Sequence, residues 1–446
     1  MGALGLAACG GGGETGRLPD APRSHNPASV LRLPRDKGSA RLYRLPALEP
    51  SAWKQADKLP ALADVVGPDL EQRVVYLLDD KQNLVGLDLE SRRVRTFLPR
   101  VRQAAVGPDG AVYAVDTGST VTQFVRRAPV RFRPKLASTG GSLFGTQHGN
   151  LVVVPQRGRR EAVLLSSDQA RAASPLPPGD AAATYLGDLV AVAADTAVVL
   201  YEPQAASPVR SLPVSGGARA VAFSPSGHRL YVALQRGGIR VLDRHSGEEL
   251  ETMELPGPAR DLRMHFYGQW LLARPESGDS VWVLDLTTNR LAGTVPSRWA
   301  RDLPVVAGER TLLLRAGGDV RARDLGAGGF PVSGEVDGGA DDSWLPLAWL
   351  PAGEEGAEPA DTAAADTTAA GATVYLQVSS SRNPEWAQEL TAKLKGAGLP
   401  ASVLPPKRGE EAYRVVIGPY ATREQAEATG RTLGMPSFVI STEEQQ

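Results

Sequence analysis

The sequence has almost none of the residues that form disulfides or hold metal ions. Cys9 is the one cysteine among 446 residues, so an intramolecular disulfide and a zinc site built on cysteines are both excluded. The five histidines form no H-E-x-x-H pair, and His228, His245 and His265 lie 17 and 20 residues apart, a spacing typical of surface histidines. We therefore predict no metal site and no cofactor.

Excess charge and catalytic motifs are also missing. The formal net charge is −1, which gives no electrostatic footprint for nucleic acid. No G-x-S-x-G elbow and no phosphate-binding P-loop occurs. The run Gly11-x-Gly13-x-x-Gly16 matches the dinucleotide fingerprint, but it follows no strand and opens no helix, so it predicts no nucleotide site.

Glycine and proline are abundant, with 48 and 35 residues. Such a composition indicates many turns, as in an all-β protein, or long linkers. The length predicts two or three domains.

A unit of short apolar strands and polar turns recurs between residues 61 and 353. A clear copy runs from Ala220 through Asp243, and its third strand ends near an acidic residue. The third strands end near seven marks spaced by about 40 residues, the period of a four-stranded propeller blade: Asp88, Phe124, Asp168, Glu202, Asp243, Asp285 and Asp324.

This part resembles a β-propeller of the YVTN/WD-like kind, with about seven blades and a range of six to eight. The run that begins at Trp344 has the pattern of a first strand with no blade after it, so it is expected to pair with the blade begun at Val74–Leu78 and close the ring. The segment Val65-Val66-Gly67-Pro68-Asp69 also fits a first strand, and the pattern does not decide between the two.

The N-terminus contains Leu6-Ala7-Ala8-Cys9, followed by glycines. This resembles the lipobox of bacterial lipoproteins, which implies a signal remnant at 1–9, lipidation at Cys9 and a membrane anchor. Residues 10–60 are rich in Gly, Pro and Arg and are predicted to be a flexible tether, and residues 354–371 a flexible linker.

The segment 372–442 has a different pattern. An alternating strand begins at Val374, an amphipathic helix follows Asn383-Pro384, and further strands are expected near 401–404, 413–417 and 438–440. Thr422-x-x-Gln425 is a capping box for a second helix that ends near Leu433. The order β-α-β-β-α-β predicts a small α+β domain with one open sheet face.

This segment resembles a SPOR domain, the peptidoglycan-binding module of bacterial division proteins. The resemblance rests on Tyr375-x-Gln377-Val378 and on the run from Tyr413 to Tyr420, Tyr-Arg-Val-x-Ile-Gly-Pro-Tyr. The family often has Gly-Ser-Phe where this chain has Ser379-Ser380-Ser381, so the aromatic residue is missing here. The resemblance implies that glycan strands stripped of stem peptides bind at six residues: Tyr375, Gln377, Ser379, Arg414, Val416 and Tyr420.

The expected whole is a non-enzymatic periplasmic protein, lipid-anchored in the outer membrane and enriched at the division septum. Its partners would be peptidoglycan glycan strands and envelope proteins held by the propeller, with a role in cell division or envelope organisation. The alternative is a propeller enzyme, a hydrolase or a quinone-dependent oxidoreductase, localised to the wall by the C-terminal domain.

Overall fold

The computed structural model is the basis of the description that follows. It describes residues 29–69, 72–108, 110–129, 141–146, 150–155, 163–165, 170–171, 176–177, 179–184, 187, 189–202, 209–225, 227, 229–244, 246–266, 268–308, 310–351, 374–381, 384–396, 398–405, 413–422, 425–426, 429 and 438–441.

Thirty-two strands in the described part of residues 29–347 form eight four-stranded antiparallel sheets, which we number as blades 1 to 8. Blade 1 takes its first three strands from the start of the chain: β1 (Ser29–Leu33), β2 (Arg41–Arg44) and β3 (Glu49–Lys54). Blade 2 contains β4 (Leu62–Asp69), β5 (Val74–Asp79), β6 (Leu84–Asp88) and β7 (Val94–Leu98). Blade 3 contains β8 (Val101–Val106), β9 (Val112–Asp116), β10 (Val121–Val125) and β11 (Ala128–Pro129). Blade 4 contains β12 (Gly141–Gly145), β13 (Leu151–Pro155), β14 (Val163–Leu165) and β15 (Ala170–Arg171).

The second half of the ring repeats this arrangement. Blade 5 contains β16 (Ala181–Ala183), β17 (Val190–Ala193), β18 (Ala197–Tyr201) and β19 (Val209–Pro213). Blade 6 contains β20 (Ala218–Phe223), β21 (Arg229–Leu234), β22 (Ile239–Asp243) and β23 (Glu249–Met253). Blade 7 contains β24 (Ala259–Met264), β25 (Trp270–Pro275), β26 (Ser280–Asp285) and β27 (Arg290–Pro296). Blade 8 contains β28 (Val305–Ala307), β29 (Thr311–Ala316), β30 (Asp319–Asp324) and β31 (Val332–Val336), and β32 (Ser343–Leu347) then returns to blade 1.

Ring closure depends on the pairing of the first and last strands of the propeller. β32 is antiparallel to β1, with Ser29 opposite Leu347 and Leu33 opposite Ser343. The described residues form eight blades, within the expected range of six to eight. Two other expectations were wrong. β32 pairs with β1 and not with β5, and the part of the expected tether 10–60 that begins at Ser29 forms a blade. The competing segment at Val65 lies in β4 and is also a first strand.

The polar composition of residues 29–60 has a structural explanation. Strands β1 to β3 are only four to six residues long, so turn residues dominate the average. Some charged residues also have partners: Arg32 donates to Asp342 at 2.7 Å, and Arg44 donates to Glu49 at 2.8 Å. By composition alone, residues 29–60 therefore resemble a solvated segment without regular structure.

Aspartates at the ends of third strands hold the turns that follow them. The Asp88 carboxylate accepts hydrogen bonds from the backbone N–H groups of Glu90 and Ser91, at 3.0 and 2.7 Å. Asp285 accepts from the N–H and the hydroxyl of Thr287, at 2.8 and 2.6 Å. A carboxylate that binds the backbone two residues ahead stabilises a tight turn. This local chemistry explains the acidic mark of blades such as 2 and 7, whereas the mark of blade 3 is Phe124, and Asp168 of blade 4 lies outside the described residues.

Apolar side chains fill the interface between each blade and the next. Eight buried clusters bridge successive sheets all the way round the ring. Leu31 and Leu42 of blade 1 pack with Leu77 of blade 2, and on its other face Val30 packs with Leu313 of blade 8. Full burial of such a side chain contributes about 1.5 to 3 kcal/mol, so blade 1 joins blades 8 and 2 through apolar packing as well as strand pairing.

Trp344 is the largest fully buried side chain of the closing strand, with 1% of its surface exposed. Its indole N–H donates to the Gly339 carbonyl at 2.9 Å. The Tyr43 ring lies 5.6 Å from its ring centroid, and the Arg32 guanidinium lies over it at 5.6 Å. Trp344 therefore connects β32 to both β1 and β2.

His265 is buried, with 2% of its surface exposed, so its interpretation as a surface histidine was wrong. It lies in the turn after β24, where its Nε2 is 2.8 Å from the Gly308 carbonyl of blade 8. Burial lowers the pKa of His265 to about 4, and the hydrogen bond to Gly308 opposes this shift only in part. The neutral ring therefore donates to Gly308 and links blades 7 and 8. His228 and His245 lie outside the described residues.

The C-terminal unit contains β33 (Val374–Ser381), α1 (Pro384–Gly396), β34 (Ala401–Leu404), β35 (Tyr413–Tyr420) and β36 (Phe438–Ser441). The sheet order is β34-β35-β33-β36, and every neighbouring pair is antiparallel. The helix begins at Pro384, as expected, and its apolar stripe of Ala387, Leu390 and Leu394 packs on the sheet.

A Trp344→Ala substitution should destabilise the propeller by about 3 to 5 kcal/mol, because it leaves a cavity where β32 meets β1. Chemical denaturation of the full chain measures this change. Val332→Ala is the control, since Val332 is 47% exposed and its truncation should stay within about 0.5 kcal/mol. Equal effects of the two substitutions would contradict the role of Trp344 in closure.

Acid should destabilise the propeller through His265. The folded pKa of about 4 lies below the ordinary histidine pKa of 6.5, so between these values the unfolded chain binds more protons and the free energy of unfolding decreases as pH falls. The full effect is on the order of 3 kcal/mol.

Denaturation midpoints of wild type and of the His265→Gln variant, measured from about pH 7.5 to about pH 4, check this expectation. This range covers most of the titration of the histidine in the folded and the unfolded chain. The variant should be less stable than wild type at neutral pH but should lose less stability in acid. Parallel pH profiles would show that His265 does not titrate as described.

Candidate functional site

The sheet of the C-terminal unit has one face filled by α1. Leu376 and Val378 of β33 and Val415 and Ile417 of β35 are buried in a single cluster with Ala387 and Leu394 of the helix. These four strand residues occupy alternating positions, so the residues between them belong to the opposite face. We call that opposite face the open face.

Three of the predicted site residues lie on the open face and are partly exposed: Tyr375, Gln377 and Arg414. Val416 also lies between Val415 and Ile417, directly opposite Gln377 in the register. It is completely buried, however, at 0% exposure, so the expectation that Val416 offers a contact to a ligand was wrong. Alternation determines which face a residue occupies, whereas neighbouring side chains determine whether it is reached by solvent.

The alternation of β33 is interrupted after Gln377. The register shifts between Gln377 and Ser379, so Ser379 is opposite Val415 and Ser380 is opposite Arg414. A bulge of this kind moves every following residue to the other position in the pleat. Strict alternation therefore does not extend to Ser379, and Ser380 is the register neighbour of Arg414.

Arg414 has hydrogen-bonding capacity that the described residues do not use. Its Nε atom is buried and has no hydrogen-bond partner among them. A buried N–H without an acceptor costs about 1 to 3 kcal/mol. A ligand that brings an oxygen to this position would therefore gain a charge-assisted hydrogen bond and remove an existing penalty.

Two tyrosine rings pack against the end of β35, where the strand passes through Gly418. Gly418 adopts a positive φ of 132°, and a Cβ atom there would lie 3.3 Å from the Tyr375 ring and 3.1 Å from the Tyr420 ring. Glycine therefore allows both rings to pack on this turn.

Tyr420 has a largely structural environment. Its ring packs against the apolar cluster under α1, and its hydroxyl hydrogen-bonds with Thr429. Burial raises the pKa of Tyr420, and the bond to Thr429 opposes that shift. Of the expected contact residues, Tyr375, Gln377, Arg414 and Tyr420 are thus partly exposed, Val416 is buried, and the side chain of Ser379 lies outside the described part.

The second helix starts where the capping box predicts. The Gln425 N–H donates to the Thr422 hydroxyl at 3.3 Å, and the Ala421 N–H donates to the Gln425 side-chain oxygen at 3.2 Å. Its end, expected near Leu433, lies outside the described residues.

Two residues that the sequence did not single out also belong to the open face. Ser402 of β34 is opposite Val416, and Leu404 is opposite Arg414. Both are partly exposed. The signal for them is the alternation of β34, in which Ala401 and Val403 pack on the helix side.

In the propeller, polar side chains at the start of the inner strands bind the edge of the next blade. Asp180 accepts from the Val221 N–H at 3.0 Å, Asp302 accepts from the Trp344 N–H at 2.7 Å, and Gln103 donates to the Gly141 carbonyl at 2.7 Å. The inner strands have no further strand to pair with, so these contacts satisfy backbone groups that face the channel.

Two carboxylates in this part of the channel have raised pKa values. Desolvation by the neighbouring protein raises the pKa of Asp180 and of Asp261, although both side chains keep some exposed surface. The charge of Asp261 raises the pKa of Asp180 further, whereas Arg263 and Arg274 oppose the shift of Asp261. Because the Asp180 carboxylate accepts a hydrogen bond from the Val221 N–H of the next blade, its primary role is structural.

Within the described ranges, Asp319, Glu335 and Asp337 are grouped closely enough to ligate a metal ion. Glu335 is paired with Arg321 at 2.8 Å, and Asp319 accepts from the Gly338 N–H at 2.8 Å. Asp319 and Glu335 therefore each have an ordinary partner within the protein.

The expected lipidation site Cys9 and the expected linker 354–371 lie outside the described residues. In the part of the chain that is described, no helix has the length and apolar character needed to cross a membrane.

Comparison with known proteins supports both parts of the architecture. A family model for the SPOR domain matches residues 370–440. Among solved structures, apo AztD from Citrobacter koseri is similar with a TM-score of 0.54 and 12% identity, over 71% of this chain and 97% of that chain. A second AztD structure from Citrobacter koseri has a TM-score of 0.53 and 10% identity, over 71% and 96%. No curated protein matches the sequence.

A further solved structure, dihydro-heme d1 dehydrogenase NirN in complex with DHE, has a TM-score of 0.48 and 17% identity, over 73% of this chain and 78% of that chain. At 10 to 12% identity the two AztD structures show a propeller-like all-β fold and nothing about activity. The expected fold class is confirmed: the chain is a multi-domain protein in which an all-β propeller precedes a small α+β SPOR domain at residues 370–440.

Proposed function

We propose that this protein is a non-enzymatic component of the cell envelope that binds peptidoglycan glycan strands through the open face of its SPOR domain. The observation that carries the proposal is that Gln377 and Arg414 lie on neighbouring strands of that face, with the Arg414 Nε lacking an acceptor among the described residues. An amide and a guanidinium can hydrogen-bond sugar hydroxyls, acetamide carbonyls and the lactyl carboxylate.

The preferred strands are those stripped of their stem peptides. The open face is one surface of a sheet, on which Tyr375 lies two residues before Gln377 and Ser402 lies on the far side of β35, opposite Val416. A bare glycan can lie along such a surface, whereas stem peptides would hold the chain away from it. Such strands occur at division septa, so this preference would enrich the protein there.

The propeller acts in this proposal as a scaffold for protein contacts. The polar groups at the start of its inner strands are engaged in holding adjacent blades, as Asp180 and Asp302 show. That use supports a structural role for them over a catalytic one.

A lipid anchor at Cys9 would hold the other end of the protein in the outer membrane. The linker of about 20 residues gives the SPOR domain a reach of roughly 25 Å. Binding to the wall would then be effectively intramolecular, so a weak affinity for each glycan segment would suffice.

Substitution of either polar residue should weaken wall binding without unfolding the domain. Gln377→Ala and Arg414→Ala in the full chain should each reduce affinity for amidase-treated sacculi about tenfold to a hundredfold, the cost of a hydrogen bond to a charged group. Cosedimentation measures the affinity, and a thermal melt checks the fold.

Lys395→Ala is the matched control, since Lys395 is an exposed cation on α1, on the opposite side of the sheet. It should leave binding unchanged. Wild-type binding by the Gln377→Ala/Arg414→Ala double variant would falsify the assignment of the open face. Equal retention of the wild type on untreated sacculi would contradict the preference for stripped strands.

Lipidation has its own test. Cys9→Ala, expressed in a bacterial host with its export leader, should move from the detergent phase to the aqueous phase in detergent partitioning, because the acyl chains account for membrane attachment. A variant that stays in the detergent phase would refute the anchor.

A further inference from the structure

Blade 1 has a cavity of about 440 Å³ beside its two outer strands, β2 and β3. This volume lies in the range of small-molecule sites, about 300 to 1,000 Å³. All ten residues that line the cavity belong to the described part of the chain, and none of them is acidic. They lie between residues 39 and 55, so the cavity is a feature of the propeller and not of the SPOR domain.

A bulge in β3 lies at this cavity. Arg41 of β2 is opposite Lys54 of β3, and Tyr43 is opposite Pro50, so one residue of β2 faces three residues of β3. A bulge of this kind interrupts the ladder and bends the strand that carries the extra residues. Residues on both sides of the bulge line the cavity.

Hydrogen bonds hold the bulged strand in place. The Trp53 N–H donates to the Ser51 hydroxyl at 3.0 Å, and the Trp53 indole N–H donates to the Leu89 carbonyl of blade 2 at 2.8 Å. The side-chain oxygen of Gln55 accepts from the Ala40 N–H at 2.6 Å. The wall of the cavity is therefore formed before a ligand arrives, which reduces the ordering cost of binding.

Two cations face each other across the strands at the cavity. Arg41 and Lys54 are direct register partners, both are exposed, and both line the cavity. Directly opposite residues of an antiparallel pair have Cβ atoms about 4.5 to 5.5 Å apart, and like charges in these positions are destabilising. In the same ladder, Arg44 is opposite Glu49 and forms an ion pair of 2.8 Å with it. The ladder thus has one complementary charge pair and one repulsive pair.

The repulsive pair has no compensating partner in the described part of the chain. Neither Arg41 nor Lys54 has an ion pair or a side-chain hydrogen bond with another described residue. A lysine on an edge strand protects against unwanted strand pairing, which accounts for Lys54. Arg41 lies on β2, which has a strand on each side, so this explanation does not apply to it. An anion placed between the two cations would remove their repulsion.

We propose that this cavity binds a small oxyanion, a ligand whose carboxylate or phosphate group lies between Arg41 and Lys54 and whose short apolar body lies against the rest of the wall. The guanidinium offers paired N–H donors to two oxygens, and the ammonium adds a compact positive charge. Leu42, Tyr43 and Pro50 contribute to the wall beside them. This site gives the propeller a ligand class of its own, independent of glycan binding.

A titration of the full chain at low ionic strength, followed by saturation-transfer NMR, tests the proposal with three ligands that share one ring. Phenylacetate and phenyl phosphate carry the two oxyanions, and 2-phenylacetamide is the uncharged counterpart. At least one anion should bind, its affinity should fall as salt is added, and the amide should not bind. The tighter anion identifies the preferred head group. Failure of both anions to bind, or equal binding of the amide, would overturn the proposal.

Removal of either cation should weaken binding. Arg41→Gln and Lys54→Gln should each reduce affinity for the anion about tenfold, since each removes one charge-assisted contact. Arg290→Gln is the matched control, because Arg290 is an exposed arginine on the outer strand of blade 7 and does not line the cavity. Wild-type affinity in both cation variants, or an equal loss in the control, would contradict the assignment.

A charge reversal separates binding from folding. Lys54→Glu places opposite charges across the strands, so it should raise Tm by about 1 to 2 °C while it abolishes binding of the anion. Unfolding cannot cause a loss of binding that accompanies a higher Tm. Retained binding, or a lower Tm, would show that the two cations do not form the site described. Sacculus binding should be unchanged in every one of these variants, which separates this site from the SPOR domain.

Discussion

The pairing of β1 with β32 is the contact on which the propeller depends. Every other blade is built from one continuous stretch of chain, but blade 1 takes three strands from the start of the propeller and one from its end. Without that ladder, blades 8 and 2 would each expose an apolar face now covered by residues such as Val30 and Leu31. Closure therefore turns eight marginal sheets into one continuous apolar ring, and no open sheet edge is left at the join.

Polar residues near the channel complete that closure. A propeller leaves the backbone of each inner strand unpaired toward the channel, and water or side chains must satisfy it. Here, side chains from one blade reach the backbone of the next, as Gln103 does at Gly141 and Asp302 at Trp344.

Much of this architecture can be predicted from the residues themselves. Blades 2 to 8 are found because short apolar strands and polar turns repeat with a period of about 40 residues, and in blades such as 2 and 7 an aspartate, Asp88 or Asp285, stabilises the turn after the third strand. Blade 1 escapes the same search, because its parts are separated by the whole ring and pairing over that distance leaves no local signal.

In the SPOR domain, alternation correctly separates the helix face from the open face up to Gln377. It fails at the bulge before Ser379, which depends on the partner strand, and it cannot show that Val416 is enclosed by its neighbours. The orphan Nε of Arg414 likewise depends on packing in three dimensions. Sequence patterns thus predict faces well, whereas exposure and hydrogen-bond satisfaction follow from tertiary contacts.

The opposition of Ser29 and Leu347 has a mechanical consequence. The chain enters β1 at Ser29 and leaves β32 at Leu347, so both ends depart from the same end of one ladder. The Ser29 hydroxyl closes that end with a hydrogen bond of 2.5 Å to the Trp349 carbonyl. Tension applied through the two ends acts first on this pair and then peels the strands apart one hydrogen bond after another, a geometry that resists force far less than shear along the whole ladder.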